Sequence, residues 1–517
     1  MTRHTTRRDA ISGIAFGALA VWLGLPSAAA AAQVLKFHAP EPFSFDDLTE
    51  RARKLAREPF QRESSGADEM LGRIDFEQHI EIGFREDATL FADTHYPVRL
   101  FHPGKFFKVP VHISVIEGDA SREIVYSHDL FTYGPKAKFA EALPDDIGFA
   151  GFRVMNPSLR GDWLAYLGAA YFRTAGDLHQ YGLSARGIAV DTGLEKGEEF
   201  PDFTHFYLEP TADKFIVYAL MNGPSITGAY RFEWVSDPHM VGGIEARLFA
   251  RADIDRLGIA PLTSMYWYSE THRGPDWRPE VHDSDGLSMW TGWGERIWRP
   301  LNNPPRVMTS TFTDNNPKGF GLLQRDRRFE DYEDDGVFYH KRPSVWVEPI
   351  GDWGKGAVQL LEIPTDMEIH DNIVAYWVPE KLVRQGDAMT FAYRMYWTAE
   401  EPFPPQTARV INTYSGRGGR PGDPPAPGFT KYVIDLEGGG IDQFKTTDGL
   451  IANVEASRGE LQNVAALRVD ETNKWRMWFD IKADGVDPVD IRAYLKAPDG
   501  RALSETWLYQ HFPQPGS

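Results

Sequence analysis

The chain has 517 residues, of which 42% are hydrophobic and 25% are charged, so it can form more than one domain around a large buried core. Asp and Glu outnumber Lys and Arg by 74 to 55, and the resulting net charge of −19 disfavours nucleic acid and anionic lipid surfaces as partners. The absence of cysteine excludes disulfides, thiolate catalysis and cysteine-ligated metal.

Residues 1–32 have the composition of an export signal. Arg7 and Arg8 precede a modestly apolar run at 11–25, and a tract of small residues follows at 28–32. This order is typical of a cleaved leader, and the paired arginines favour the twin-arginine route. An uncleaved membrane anchor is the alternative. No later segment has about 20 uninterrupted apolar residues. We therefore predict a periplasmic protein without stable membrane insertion.

Apolar periodicity predicts few helices and many strands. Helical spacing begins at Phe45 and ends before Pro59, and a second helical turn is predicted at 136–143. Period two governs most other segments. Apolar side chains share one face of 389–397, and a similar alternation runs through 475–481. Such strands, separated by Gly, Pro, Asp and Asn turns, predict an all-β protein built from antiparallel β-sandwiches.

The Pro-rich stretch at 400–405 predicts a stiff connector between two domains. We predict a large domain at 33–398 and a small β-sandwich at 406–517. Within the small domain, the Gly- and Pro-rich segment 415–428 could reach the cleft of its own subunit or of a neighbouring one, which would make a homodimer. A plain disordered loop is the alternative.

The segment between Trp277 and Trp377 combines indole rings, guanidinium groups and isolated carboxyl groups. Residues 277–290 read WRPEVHDSDGLSMW, and further segments read GERIWRPLNNP (294–304), GFGLLQRDR (319–327), RPSVWV (342–347) and HDNIVAYW (370–377). Aromatic faces can cover the apolar faces of sugar rings, and arginines can donate to sugar hydroxyls. Aromatic residues are also good core material. The mixture therefore favours carbohydrate as a ligand without excluding ordinary packing.

Two carboxyl groups in this segment are candidates for acid–base chemistry. Asp283 follows His282, Asp371 follows His370, and each motif borders an apolar stretch. An apolar environment raises the pKa of a carboxyl group, as a general acid near neutral pH requires. The alternative is that each Asp caps a turn through its own backbone.

Other common site motifs are incomplete. Residues 182–186 lack the final glycine of a nucleophile elbow, which argues against a serine hydrolase. Residues 283–286 lack the ligand ladder of a calcium loop, so we predict no metal site.

The order and wording of these motifs resemble the osmoregulated periplasmic glucan biosynthesis proteins of the G and D type. The resemblance runs from about residue 40 nearly to the C-terminus. It includes FAGFRV (149–154), LGAAYFR (167–173), QYGLSARGIAVDT (180–192), GEEFP (197–201), TGAY (227–230), GIAPLTSM (258–265) and SETW (504–507). It implies a large many-stranded β-sandwich followed by an immunoglobulin-like domain.

The same resemblance implies a glycoside hydrolase that acts on β-1,2-glucan, with the Asp of the DNIVAYW motif as general acid and the Asp of the HDS motif as general base. These roles carry over to Asp371 and Asp283. Two carboxyl groups without an adjacent nucleophile fit an inverting mechanism, in which a water or hydroxyl relay permits a larger separation. Such chemistry needs no cofactor.

Further residues are candidates for sugar contacts. Tyr181 belongs to the YGLSARG motif, and the histidines His282 and His370 precede the two Asp residues. Indole rings could stack on glucosyl units or fill the core, and guanidinium groups could bind hydroxyls or form structural ion pairs; these candidates are Trp290, Trp298, Trp346, Arg186, Arg299, Arg325 and Arg342.

Three functions remain open at this point. The first is hydrolysis of β-1,2-glucan made by an inner-membrane synthase, which is a candidate partner. The second is transglycosylation at the same site, with ring formation as one form of it. The third is a non-catalytic, glucan-binding accessory of the synthase. Hydrolysis and transfer differ only in whether water or a sugar hydroxyl is better placed for attack.

Overall fold

The computed structural model describes residues 35–513 apart from positions 169, 237, 421, 423 and 425. The predicted leader lies outside these residues. Among the described residues, no helix has both the length and the apolar composition needed to cross a bilayer.

The described residues form 33 strands, which are, in chain order, β1 Glu41–Pro42, β2 Ile82–Phe84, β3 Val98–Phe101, β4 His112–Glu117, β5 Ala120–Glu123, β6 Phe131–Tyr133, β7 Gly151–Met155, β8 Asp162–Leu167, β9 Tyr171–Thr174, β10 Ser184–Arg186, β11 Ile188–Val190, β12 Asp202–Pro210, β13 Phe215–Asn222, β14 Ile226–Val235, β15 Met240–Ala250, β16 Leu257–Ser264, β17 Tyr266–Tyr268, β18 Val281–His282, β19 Gly286–Trp290, β20 Arg296–Pro300, β21 Met308–Asn315, β22 Gly319–Leu323, β23 Ser344–Ile350, β24 Lys355–Glu362, β25 Ile373–Pro379, β26 Ala388–Thr398, β27 Arg409–Arg417, β28 Thr430–Glu437, β29 Ile451–Ala456, β30 Glu460–Arg468, β31 Trp475–Lys482, β32 Val489–Lys496 and β33 Thr506–His511.

Helices are few and short. The α-helices are α1 Phe45–Leu55, α2 Asp68–Leu71, α3 Phe76–His79 and α4 Phe329–Tyr332. Short 3₁₀ helices occupy Glu86–Ala88, His128–Leu130, Pro135–Ala142, Tyr339–Lys341, Ile441–Gln443 and Thr446–Asp448. The structure confirms the helix predicted at Phe45, where the Ser44 hydroxyl accepts a hydrogen bond from the Asp47 amide. The turn predicted at 136–143 is present as a 3₁₀ helix.

Two large sheets dominate the fold. One has fifteen strands in the order β1-β5-β4-β12-β13-β14-β15-β26-β23-β22-β19-β20-β33-β32-β29, and the other is a ten-stranded sheet, β21-β24-β25-β16-β10-β9-β8-β7-β3, in which β11 also pairs with β16. Nearly all pairs are antiparallel; β4–β12 and β20–β33 are parallel. The all-β prediction is therefore confirmed.

A large aromatic core lies between the two sheets. Trp234 of β14 donates its indole N–H to the Tyr166 hydroxyl of β8 at 2.9 Å, and its ring lies 5.7 Å from that of Trp397. Trp397 ends the alternating face predicted for 389–397. Tyr393, Met395 and Trp397 of this face are buried, as the period of two requires.

The chain beyond residue 400 forms a second pair of packed β-sheet layers, with a hydrophobic core of its own. Strands β27-β28-β31-β30 make a four-stranded sheet whose buried face packs against β32 and β33, as in the contact between Tyr432 and Trp507. The alternation predicted at 475–481 is confirmed. However, β33 pairs with β20, so β29, β32 and β33 extend the fifteen-stranded sheet. The division into two domains and the immunoglobulin-like character therefore stay predictions.

Replacing Trp397 with Ala should lower the free energy of unfolding by roughly 3–5 kcal/mol, because the deleted indole is fully buried between two aromatic rings. Trp293→Ala is the matched control, since 86% of the Trp293 side chain is exposed, and a change of less than about 0.5 kcal/mol is expected. Urea unfolding measures both. Equal losses in the two variants would contradict the assignment of Trp397 to the core.

Candidate functional site

The two candidate carboxyl residues lie on opposite sides of one short stretch of chain, residues 264–266, which we call the central segment. It joins β16 to β17. On one side, the Asp283 amide donates to the Met265 carbonyl at 2.8 Å, and the Ser284 and Ser264 hydroxyl oxygens are 2.8 Å apart. These bonds hold the HDS motif against the central segment.

On the other side, β25 pairs with β16 through Ser264 and Ile373. Asn372 extends that pairing with its side chain. Its Oδ1 accepts from the Tyr266 amide, and its Nδ2 donates to the Tyr266 carbonyl, both at 2.9 Å. Asp371 precedes this clamp. Neighbouring strands are about 4.8 Å apart, so backbones that flank the same strand are separated by about 10 Å.

Asp283 is buried and ion-paired. Its side chain is 1% exposed, and its Oδ1 accepts a hydrogen bond from Arg342 Nη1. The Arg342 guanidinium lies 4.2 Å from the centre of the Tyr339 ring, which fixes its plane. Gly182 lies so close that an added Cβ would be 2.8 Å from the Cβ of Arg342. The turn that follows Tyr181 thus packs directly on the partner of Asp283.

Asp371 is half-buried and interacts with Arg173 of β9. Burial lowers the pKa of Arg173, and the negative charges of Asp162 and Asp371 oppose that shift. The Arg173 guanidinium also lies 4.2 Å from the ring centre of Tyr181. Arg173 and Arg342 are close enough to repel each other. The site therefore contains an arginine beside each of the two candidate carboxyl groups.

A second set of contacts connects the two motifs through Glu368, three residues before Asp371. The Tyr339 hydroxyl donates to Glu368 Oε2 at 2.6 Å, and Arg278 Nη1 donates to the same oxygen at 2.8 Å. Arg278 also binds Asp334 at 2.7 Å. Tyr339 therefore contacts both the guanidinium that binds Asp283 and the residue that leads into the Asp371 motif, and it links the positions of the two motifs.

His370 is oriented by the loop that leads into its motif. Its Nδ1 lies 2.9 Å from Thr365 Oγ1. Asn303 holds that loop in place, because its Nδ2 donates to the carbonyls of Thr365 and Trp267 at 2.7 and 3.1 Å. His370 remains half-buried and can meet a ligand at the edge of the site.

His282 has no exposed surface, so it supports Asp283 from behind and is out of reach of a sugar. Its Nε2 lies 2.8 Å from Glu280 Oε2, and its Nδ1 lies 3.0 Å from Gln324 Oε1. Burial alone would lower the pKa of His282. The hydrogen bond with Glu280 and the charge of Asp285 outweigh burial and raise that pKa to about 9.

Behind His282 is a cluster of three carboxyl groups, Glu270, Glu280 and Asp326, whose oxygens lie within 4.8 Å of one another. Burial and the charge of Glu280 raise the pKa of Glu270 to about 8, and burial and Asp285 raise the pKa of Asp326 strongly. These are the described residues that could hold a metal ion. A bound cation would reduce the repulsion among these three carboxyl groups, and protonation of one of them would reduce it in the same way.

Arg186 adjoins the site but is already engaged. It is 3% exposed, its Nε donates to Thr263 Oγ1 at 3.1 Å, and it forms an ion pair with Glu198. Thr263 directly precedes the central segment. In this structure Arg186 therefore braces the strand that positions the two carboxyl residues.

The remaining candidates, Trp290, Trp298, Arg299, Arg325 and Trp346, are not part of this site. Trp298 and Trp346 are buried in the second core, so their faces are closed to a sugar. The ring of Trp290 is half-buried, with Arg296 and Lys318 each 5.0 Å from its centre.

The two arginines of this group form structural ion pairs. Arg299 Nη2 lies 2.9 Å from Glu362 Oε2, and both side chains are buried. Arg325 binds Glu505 at 2.6 Å and lies 3.7 Å from the ring centre of Trp298. The indole rings of this group therefore pack in or on the second core, and its guanidinium groups form structural ion pairs, so none of the five is proposed as a sugar contact.

Sequence reasoning did not single out Arg173, Tyr339 or Glu368. Arg173 was within reach, because it ends the LGAAYFR motif. Tyr339 and Glu368 belong to no motif that suggests chemistry. Their contacts become visible only when the chain is folded.

A family profile and several full-length relatives agree on the family. The profile described as "Periplasmic glucan biosynthesis protein, MdoG" matches residues 43–511. Glucans biosynthesis protein D 2 of Ralstonia nicotianae is 48% identical over 528 aligned positions that cover 98% of each chain. Glucans biosynthesis protein D of Stenotrophomonas maltophilia is 44% identical, again over 98% of each chain. The protein of that name from Xanthomonas oryzae pv. oryzae is 43% identical over 95% of each. The chain therefore belongs to the periplasmic glucan biosynthesis proteins of the MdoG family.

Proposed function

We propose that this protein cleaves β-1,2-linked glucan with inversion, using Asp371 as general acid and Asp283 as general base. The observation that carries the proposal is the attachment of the two motifs to opposite sides of the central segment, through the Asp283 amide on one side and the side chain of Asn372, next to Asp371, on the other. Family membership supports a glucan as the substrate. Acid–base cleavage of a glycosidic bond requires no cofactor.

The acid must be protonated when the glycosidic bond breaks, because a sugar alkoxide is a poor leaving group. Arg173 places a positive charge beside Asp371, whose carboxyl group is half-buried. A glucan chain that covers the half-buried carboxyl removes water from it and favours the neutral acid. Substrate binding would thus favour the protonated form of Asp371 next to the glycosidic oxygen.

The base has a different environment. Asp283 is 1% exposed and ion-paired with Arg342, so it is shielded from bulk water. The separation of about 10 Å between the two flanking backbones is consistent with a spacing near or above the usual inverting range of about 6.5–9.5 Å. We infer that Asp283 accepts its proton through a water or a sugar hydroxyl that relays it from the attacking water.

Residues at the edge of the site would hold the glucan. Tyr181 and His370 are half-buried beside the two carboxyl residues. His370 carries a polar group for a sugar hydroxyl, whereas the Tyr181 hydroxyl is buried, so this residue would offer its ring. Arg186 and His282 would act indirectly, by bracing the central segment and Asp283. We further propose that the protein is exported to the periplasm and works beside the inner-membrane synthase.

Incubation of the mature protein with linear β-1,2-glucan tests the activity. New reducing ends are expected. New linkages or rings without new reducing ends would instead establish a transglycosylase. Unchanged substrate, despite binding, would establish the accessory role and contradict cleavage.

Asp371→Asn should bind glucan and lose turnover by about 10²–10⁴-fold, because an amide keeps the shape but cannot donate the proton. Asp283→Asn should lose turnover similarly through loss of water activation. Asp366→Asn is the matched control in the same loop, where the side chain is exposed, and it should retain activity. Reducing-end assays and the melting temperature are measured together. Near-normal activity in Asp371→Asn would reject the acid assignment, and loss of folding would return the residue to a structural role.

Replacing Arg7 and Arg8 with lysines should block export if the twin-arginine route is used, because that route reads the arginine pair. Leader removal is expected between about residues 28 and 33. Immunoblots of periplasmic fractions measure both outcomes. An unchanged periplasmic yield of the double-lysine variant would exclude this route.

A further inference from the structure

A cavity of about 800 Å³ lies between two parts of the chain, residues 266–306 and residues 415–513. Its wall on one side comes from 266–268 and from the loop at 272–275, and on the other from 415–417 and 510–513. The volume is within the range of small-molecule sites, about 300–1,000 Å³. Asp283 and Asp371 do not line it, although Tyr266 of the central segment does, so the cavity adjoins the candidate catalytic site and is distinct from its carboxyl groups.

The charge of this cavity is opposite to that of the whole protein. The chain carries −19, yet the described lining residues include three arginines, Arg273, Arg306 and Arg417, and neither Asp nor Glu. Arg306 shares an exposed ion pair with Asp487 at 3.3 Å. Arg273 and Arg417 are exposed and have no ion pair with any described residue. Two guanidinium groups therefore remain available to an anion.

The positive charge does not come from histidine. His272 and His511 also line the cavity, and burial lowers the pKa of both, to about 4 for His511, so both rings are neutral at neutral pH.

The uncharged lining suits a sugar ring. Trp267, Tyr268 and Phe512 supply aromatic surface, and Asn302 and Gln510 supply side-chain amides. The Gln510 side chain is held by a hydrogen bond that its Nε2 donates to Asp490 at 3.0 Å.

We propose that this cavity binds a sugar that carries a negatively charged group, either a carboxylate or a phosphate. The anion would bind Arg273 and Arg417, which come from different parts of the chain, while the ring packs on the aromatic wall. The ligand would then tie the two parts together. This inference does not rest on cleavage of glucan at Asp371.

Calorimetric titration of the mature protein with glucose 6-phosphate and with glucuronate tests the proposal and distinguishes the two anions. At least one should bind, more tightly than glucose or inorganic phosphate alone. The double variant Arg273→Ala/Arg417→Ala should weaken binding at least tenfold, because charge-assisted hydrogen bonds are lost. Arg57→Ala is the matched control; this exposed arginine in the N-terminal part lies outside the cavity lining and should leave binding unchanged.

The melting temperature without ligand verifies that the double variant is folded, and the single variants Arg273→Ala and Arg417→Ala should each give an intermediate loss. Several outcomes would overturn the inference. They are no binding of either charged sugar, equal affinity in the double variant, or inorganic phosphate binding as tightly as glucose 6-phosphate. Because Asp371 is untouched, these outcomes are independent of the assay for glucan cleavage.

Discussion

The central segment is the constraint on which the candidate site depends. Strand residues are held on both sides by backbone bonds, and here one side carries Asp283 while the other carries the amide clamp of Asn372. Asp283 and Asp371 themselves lie in loops, next to β18 and β25. Their placement therefore depends on a few bonds to Met265 and Tyr266, which continue directly from β16 of the ten-stranded sheet. A β-protein of this size can thus present two loop carboxyl groups at a set separation.

Electrostatics within this frame is local. Arg342 forms an ion pair with the buried Asp283, while burial and neighbouring negative charges raise the pKa values of Glu270, Glu280 and Asp326 a short distance behind it. The cavity between the two parts of the chain is positive although the protein is strongly acidic. Net charge described which macromolecules the whole surface would repel. It did not describe the potential of any single site, because burial and near neighbours outweigh distant charges.

Sequence periodicity predicted the parts of the fold that depend on local alternation. The faces at 389–397 and 475–481 could be read because each strand buries every second residue. The pairing of β33 with β20 could not be read, because it joins residues about 200 positions apart without any local signal. The same limit affected the site. Asp283 and Asp371 could be identified from their motifs. The sequence left Trp298 and Trp346 as candidates for stacking on sugar rings, whereas the structure buries both in the second core.

The most direct test of the acid–base account is the anomeric form of the first product. Proton NMR during cleavage of linear β-1,2-glucan reports the new reducing end before it equilibrates. Attack by a water that Asp283 activates, on the face opposite the leaving group, gives the α-anomer. That is the predicted result. Initial release of the β-anomer would mean a covalent intermediate or transfer chemistry, and it would contradict the roles assigned to Asp371 and Asp283.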